Sequence, residues 1–162
     1  MHRERRRKSG RRNPMMQSID EIIENDDIVA VYQLMSILRP HLPDAAAFAA
    51  RVQRQAQAGY RLAGFRHDRQ WQGLIGFRLG ENLLYGKFLY VDDLVVEPSS
   101  QNGGIGKSLI EYVRKYALTV DCANLVLDTG LYMPYAQRFY YRQGLLAKGM
   151  RFVESLNGVN NA

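Results

Sequence analysis

The chain has 162 residues, which is enough for one domain with a proper hydrophobic core. Its hydrophobic share of 46% and charged share of 23% are those of an ordinary soluble globular protein. No apolar run reaches the roughly 20 residues of a membrane span, and the single Cys122 excludes both an internal disulfide and a thiolate metal cage, which fits a reducing cytoplasm.

The net charge of +6 belongs to the first 14 residues, "MHRERRRKSGRRNP", which hold seven Arg or Lys and one Glu. Beyond them 15 basic and 15 acidic residues cancel. A basic arm can bind nucleic acid by neutralising phosphates. We favour a plainer interpretation. Either residues 1–16 are a disordered extension without a function, or an upstream start codon has been included by mistake and translation begins at Met15 or Met16. Nucleic-acid binding is expected only through residues 1–14.

The first predicted elements are a strand and two helices. "QSIDEIIE" predicts a short strand. "DDIVAVYQLMSILRP" spaces its apolar residues at helical intervals, with Asp26 or Asp27 as N-cap and Pro40 beyond the end. "PDAAAFAARVQRQAQAGY" predicts a second helix, from a cap at Asp44 to a stop at Gly59.

The apolar pattern then changes to that of strands. "YRLAGFRH" and "WQGLIGFRLG" predict two strands joined by the polar turn "HDRQ". "GKFLYVDDLVVEP" predicts a third, longer strand, which is mostly apolar and therefore central in the sheet. Pro98 ends this strand because proline has no amide hydrogen for the ladder.

The last third of the chain returns to helices. A helix is predicted from Gly106, followed by a short strand in "ANLVLDTG" and a helix from Pro134 to Gly144. "LLAKGMRFVESL" predicts one or two final strands. This order predicts a single α+β, or mixed α/β, domain over residues 17–156, with helices on both faces of a central sheet and a disordered tail over residues 157–162.

The glycine-rich stretch "QNGGIGKS" joins the central strand to the next helix and matches two nucleotide-binding templates poorly. A Walker A loop fits residues 106–108 but has Gln101 where its first glycine should stand. The dinucleotide template G-x-G-x-x-G has Leu109 in place of its third glycine. Neither template therefore explains the loop.

A third template, Q/R-x-x-G-x-G/A between an apolar strand and a helix, is matched fully by Gln101, Gly104 and Gly106. A second stretch, "AQRFYYRQGL", is similar to A-x-x-(F/L)-Y-x-x-x-G-F. With these two motifs about thirty residues apart, residues 18–154 resemble the GNAT superfamily of acyl-CoA-dependent N-acyltransferases. The resemblance implies a GNAT-like domain with a mixed, largely antiparallel central sheet.

Physical chemistry supports an anion site at this loop independently of the resemblance. Three glycines within four positions allow positive φ angles and a close approach of the backbone to a ligand. The amides of residues 104–107 then point outward at a helix N-terminus, where the helix dipole favours a pyrophosphate. The resemblance implies that acetyl-CoA binds here as co-substrate, without a metal. The implied binding residues are Leu94, Val95, Val96, Gln101, Asn102, Gly103, Gly104, Ile105, Gly106, Lys107 and Ser108.

Acyl transfer to an amine needs a base, because a lysine-like amine with a pKa of about 10.4 is neutral in only about one molecule in a thousand near pH 7.4. Asp92 and Asp93 lie on the central strand, where aspartate is a poor strand former. Neighbouring strand residues face opposite sides of a sheet, so we expect one carboxylate at the acceptor and the other in a cap or ion pair. Purely structural or electrostatic roles for both remain equally open, and Glu97 is a weaker candidate.

Tyr140 corresponds to the tyrosine of the family motif, four positions before Gly144. The resemblance implies that its phenol, protonated at neutral pH, donates a proton to the leaving thiolate. Packing against the coenzyme is the alternative role. Tyr141 would point about 100° away on the same helix and is the less suitable acid.

The sequence as a whole favours a cytoplasmic, acetyl-CoA-dependent N-acetyltransferase that acts on a primary amine by direct attack. The alternative is a non-catalytic acyl-CoA-binding module that the arginine arm recruits to nucleic acid or the ribosome. A nucleotide-binding switch is a distant third. The acceptor, a small molecule or a peptide, is not identified, although the strand acids lean toward a cationic one. His41 lies between two predicted helices, where this fold often builds its acceptor wall, but a histidine at such a position is more often a surface-loop residue than a catalytic one. A homodimer is consistent with the resemblance, and no membrane association is expected.

Overall fold

The computed structural model describes residues 16–157 of the chain. The predicted extension over residues 1–16 and the predicted tail over residues 157–162 lie outside the described residues, except for Met16 and Asn157. The described helices and strands follow the predicted order, except that the first helix is split in two and no strand follows the last helix. They are β1 (Gln17–Glu21), α1 (Asn25–Ala30), α2 (Tyr32–Leu38), α3 (Ala45–Ala56), β2 (Arg61–His67), β3 (Gln70–Asn82), β4 (Gly86–Val96), a short 3-10 turn (Pro98–Ser100), α4 (Ile105–Thr119), β5 (Asn124–Leu127) and α5 (Pro134–Arg142).

The five strands form one sheet in the order β1-β2-β3-β4-β5. The first three pairings are antiparallel, and β4 pairs with β5 in parallel. A parallel neighbour requires a crossover connection, and α4 supplies it. The predicted mixed, largely antiparallel sheet is therefore confirmed.

Helices cover both faces of the sheet, as predicted. On one face α1, α2 and α3 pack on the sheet, where Val52 lies in the same cluster as Leu74. On the other face Leu109 of α4 lies in the same cluster as Phe77, and α5 packs at the edge of this cluster. Burial of each side chain of this size stabilises the folded state by roughly 1.5–3 kcal/mol. None of the helices within residues 16–157 is long and apolar enough to cross a bilayer.

The predicted element boundaries are confirmed where one residue sets the backbone geometry. The Asp44 carboxylate caps α3 by accepting a hydrogen bond from the Ala47 amide at 2.7 Å. Gly59 and Gly144 follow α3 and α5 with φ angles of +90° and +83°. These angles strain other residues but not glycine. Pro98 lies just beyond β4, in the 3-10 turn.

The predicted first helix is wrong in its continuity and its cap. It consists of two helices separated at Val31, and Glu24 rather than Asp26 or Asp27 is the N-cap. Val31 is fully buried. The break at this residue lets both short helices pack on the same core, which a straight helix of that length would not do.

The prediction of strands in "LLAKGMRFVESL" is also wrong, because residues 145–157 contain no strand. A segment with an alternating pattern forms a strand only when a neighbouring strand has a free edge to which it can hydrogen-bond. The strand β5 is only four residues long, and among the described residues it pairs with β4 alone. The segment is held instead by Arg151, which contacts Tyr90 and Asp128. Most of its large apolar side chains, from Leu146 onward, remain exposed.

Candidate active site

The loop between β4 and α4 turns sharply through two residues with positive φ. Asn102 has φ +67° and Gly104, the N-cap of α4, has φ +83°. At the start of the loop, the Glu97 carboxylate accepts a hydrogen bond from the Ser99 amide at 2.8 Å. Glu97 is thus occupied in capping the 3-10 turn. The Gln101 side-chain amide donates to the Val96 carbonyl at 3.4 Å and links the loop to the strand end.

The N-terminus of α4 presents a row of unpaired backbone donors. The first α4 amide with a partner is that of Ser108, which donates to the Gly104 carbonyl at 3.0 Å. Within residues 16–157 the amides of residues 104–107 have no hydrogen-bond acceptor. Together with the helix dipole, these amides can bind an anionic group.

The other loop residues have different surroundings. A Cβ atom at Gly106 would lie 3.1 Å from the Phe139 ring, so this glycine allows α5 to pack close to α4. Gly103 and Ser108 line a cleft of about 270 Å³ beside the loop. Ile105 is buried beneath the loop and also contributes to this cleft, whereas Lys107 is exposed.

The second half of β4 has an open edge toward β5. The parallel pairing of β4 with β5 ends at Val91 and Leu127, whereas β4 remains paired with β3 as far as Val96. In the described chain, residues 92–96 therefore have a strand neighbour on one side only. Leu94 and Val96 pack with the α4 face, and Val95 packs with the α1–α3 face. This open edge can pair with an extended ligand through backbone hydrogen bonds.

Asp92 and Asp93 point to the same face of the sheet, and the prediction of opposite faces is wrong. Gly76 pairs with Asp93, but the next residue, Phe77, pairs with Val91. Asp92 is thus the extra residue of a β-bulge. A bulge inserts one unpaired residue and breaks the strict alternation of sides. Both carboxylates consequently lie under α2 and α3.

Both carboxylate oxygens of Asp93 accept hydrogen bonds. The Arg39 Nε donates to one at 2.9 Å and the Tyr60 hydroxyl to the other at 2.8 Å. Burial, and then the charge of Asp93, raises the pKa of Tyr60 well above its ordinary value, so its phenol stays a donor. A Cβ atom at Gly76 would lie 2.1 Å from the Tyr60 hydroxyl oxygen. The glycine therefore makes room for this contact.

Asp92 is less fully engaged than Asp93. One Arg78 nitrogen, Nε, donates to both Asp92 oxygens at 3.2 and 2.9 Å, while Nη2 donates to the Gln55 side chain of α3 at 2.8 Å. Burial raises the pKa of Asp92, and the hydrogen bond from Arg78 opposes part of that rise. A carboxylate with a raised pKa and spare lone pairs is a suitable proton acceptor.

The Tyr140 side chain lies on the opposite face, where it packs against the same cluster as Leu94 and Val96. Burial raises the pKa of its phenol. Its hydroxyl has no hydrogen-bond partner within residues 16–157, so it is available to a ligand. The ring of Tyr141 is exposed.

The structure assembles several groups that the sequence patterns did not identify. Arg39, Tyr60, Arg78 and Gln55 form the surroundings of the two carboxylates. The available signals were weak. Arg78 is a charged residue in an otherwise apolar strand pattern, and Tyr60 directly follows the helix stop. His41 lies in a cleft with Asp93.

No group of three or more His, Cys, Asp or Glu side chains is arranged to hold a metal ion in the part of the chain that the structure describes. The site consists of backbone donors, two carboxylates with arginine partners, and a free phenol. Such groups can bind an anion, accept a proton and donate one.

Comparison with known proteins assigns the family. Residues 28–145 match the model of the GNAT acetyltransferase family. A Trypanosoma brucei acetyltransferase structure has 20% identity and a TM-score of 0.74, and the match covers 87% of this chain and 100% of the Trypanosoma brucei chain. An aminoglycoside N-acetyltransferase in complex with CoA has 16% identity and a TM-score of 0.79, with 90% and 97% covered. Glucosamine-6-phosphate N-acetyltransferase from Arabidopsis thaliana has 15% identity and a TM-score of 0.68, with 88% and 99% covered.

A comparison with curated proteins found no match. At these identities the solved structures establish the fold alone, whereas the family model spans well over half of the chain. The glycine-rich loop at the α4 N-terminus and the open β4 edge fall inside the matched residues. The chain therefore belongs to the GNAT acetyltransferase family.

Proposed function

We propose that this protein is an acetyl-CoA-dependent N-acetyltransferase that acts on a primary amine by direct attack. One observation carries the proposal. Two sets of backbone groups flank the loop: those on the open edge of β4, over residues 92–96, and the unpaired amides of residues 104–107 at the α4 N-terminus. An extended ligand that ends in a pyrophosphate would satisfy both sets.

The chain's residues fit coenzyme A in these terms. The free amides and the dipole of α4 would hold the pyrophosphate, Gly104 supplies the turn, and Leu94 and Val96 offer an apolar flank for the pantetheine arm. When bound, acetyl-CoA supplies the thioester acyl group. The solved aminoglycoside acetyltransferase with a similar fold is a complex with CoA, which supports this assignment.

The acceptor amine must lose a proton before it attacks. Holding a lysine-like amine neutral near pH 7.4 costs roughly 4 kcal/mol, which a general base offsets in part. Asp92 takes this role in our proposal, because its two oxygens share a single Arg78 nitrogen, whereas each oxygen of Asp93 has a donor of its own. Asp92 takes the ammonium proton, directly or through water, and the neutral amine then attacks the carbonyl carbon. The second proton leaves the nitrogen for water as the nitrogen–carbon bond forms and the carbon–sulfur bond breaks.

The leaving thiolate takes up a proton from Tyr140 in this scheme. The phenol is protonated at neutral pH and has no competing partner among the described residues. Asp92 lies on the α1–α3 face, directly after the last β4 residue paired with β5, and Tyr140 packs on the opposite face of the sheet. The acceptor and the coenzyme would thus approach the reacting carbonyl from different sides.

The primary test is turnover of acetyl-CoA with a panel of primary amines, followed by the release of free thiol. We expect acetylation of at least one amine, confirmed by the mass of the product. Binding of coenzyme A without acetylation of any amine would instead support a binding module. In that case, loss of RNA binding on removal of residues 1–14 would identify the alternative function.

Gly104→Ala tests the coenzyme site. Alanine at φ +83° should destabilise the fold by about 1–2 kcal/mol and distort the row of free amides. Gly86→Ala is the matched control, since Gly86 has φ +62°, open space around it and a place at the far end of β4. Thermal unfolding should show a lower stability for both variants, whereas titration calorimetry should show weaker CoA binding only for Gly104→Ala. Equal CoA affinity in the two variants would contradict the assignment.

Tyr140→Phe tests the proton donor. The hydroxyl makes no described hydrogen bond, so its removal should leave the unfolding temperature nearly unchanged. We expect kcat to fall by about 10²-fold, the lower range for loss of a general acid, with little change in KM for acetyl-CoA. The exposed Tyr141→Phe is the control. A Tyr140→Phe enzyme with the kcat of the wild type would remove Tyr140 from the mechanism.

Asp92→Asn tests the base through the pH profile. A base works only when deprotonated, so activity should fall as the pH decreases through the pKa of Asp92. Burial raises that pKa, so kcat/KM should begin to fall at a pH above the ordinary pKa of aspartate. Asp92→Asn should lower the rate and abolish this fall at low pH. Asp93→Asn should mainly reduce stability and keep the fall. The reverse pattern would transfer the role to Asp93.

A further inference from the structure

A cleft of about 270 Å³ opens between α2, α3 and β4 on the face that carries the two aspartates. Phe48, Val52 and Tyr60 form its buried lining, and Asp93 lies among its residues. Ligand pockets usually measure about 300–1,000 Å³. A cleft just below this range suits a small acceptor better than a folded protein chain.

The charge around this cleft is positive. Three basic side chains, Arg39, His41 and Arg51, line it together with one carboxylate, that of Asp93. Arg39 already pairs with Asp93. Arg51 and His41 make no ion pair within residues 16–157, and both are exposed at the rim. An ammonium group would find no free carboxylate among these residues.

Arginine pairing also removes the argument for a cationic acceptor. Asp92 and Asp93 suggested such an acceptor from the sequence, but each is paired with an arginine in the structure. The surplus charge belongs to Arg51, on the exposed surface of α3. Its guanidinium is suited to a two-pronged contact with a carboxylate or a phosphate.

We infer that the acceptor is a small amine that also carries an anionic group, a carboxylate or a phosphate, and that Arg51 binds this group. The inference rests on the proposed acetyltransferase function. The anionic group lies at the rim beside Arg51 and His41, and the amine extends inward past Asp93, which lines the cleft, toward the neighbouring Asp92 at the open edge of β4. Arg51 thereby determines specificity and takes no part in the proton transfers.

Matched acceptor pairs test this inference. One set pairs amino acids with their carboxamides, and a second pairs amino alcohols with their phosphate esters. The kcat/KM of each member is measured with the wild type, Arg51→Gln and Arg54→Gln. Arg54 is the control because it is an exposed arginine on the same helix that does not line the cleft. Changes in amine pKa within a pair cancel when selectivities are compared between enzymes.

The wild type and Arg54→Gln should prefer the anionic member of at least one set, and Arg51→Gln should lose about tenfold or more of that preference, mainly through KM. The set that shows the effect distinguishes a carboxylate from a phosphate. Acetylation without anionic preference, or a preference that survives in Arg51→Gln, would overturn this inference alone. If no member of either set is acetylated while another amine of the broader panel is, this inference alone is overturned. If no amine of any kind is acetylated, the proposed function is overturned and this inference with it.

Discussion

The β-bulge at Asp92 determines the geometry of the whole candidate site. The extra residue shifts the register between Gly76 and Phe77, and bulges bend the strand that contains them. The bulge lies directly after Val91, the last β4 residue paired with β5. These two features open the sheet between β4 and β5 and bring both carboxylates to one face. Without the bulge, one carboxylate would point into the apolar cluster under α4.

The bulge also makes the site part of the scaffold. Two half-buried carboxylates on one face need compensating partners, because a buried charge without one is strongly destabilising. Arg39, which follows α2, pairs with Asp93, and Arg78 of β3 joins Asp92 to Gln55 of α3. The same contacts that neutralise the acids therefore fix α2 and α3 on the sheet. This arrangement defines the acceptor side of the site and leaves its rim positively charged.

The parts of the fold that depend on single residues could be predicted from the sequence. The stops at Gly59 and Gly144 and the turn at Gly104 follow from backbone freedom at one position, and the structure gives all three a positive φ. The orientation of Asp92 could not be predicted, because the bulge depends on the register of β4 against β3, which the residue pattern of β4 alone does not show. The break at Val31 likewise depends on the core that two helices share. The prediction of strands after Gly144 was wrong, because the alternation of apolar and polar residues does not show whether a partner strand is present.

The central claim is that the open edge of β4 and the free amides of α4 bind one ligand, the coenzyme. Amide hydrogen exchange with and without coenzyme A measures both segments in one experiment. Bound coenzyme should slow exchange over residues 92–96 and residues 104–107 together, while β1 (Gln17–Glu21), at the far edge of the sheet, should exchange as before. Coenzyme binding that protects only one of these two segments, or neither, would contradict the account.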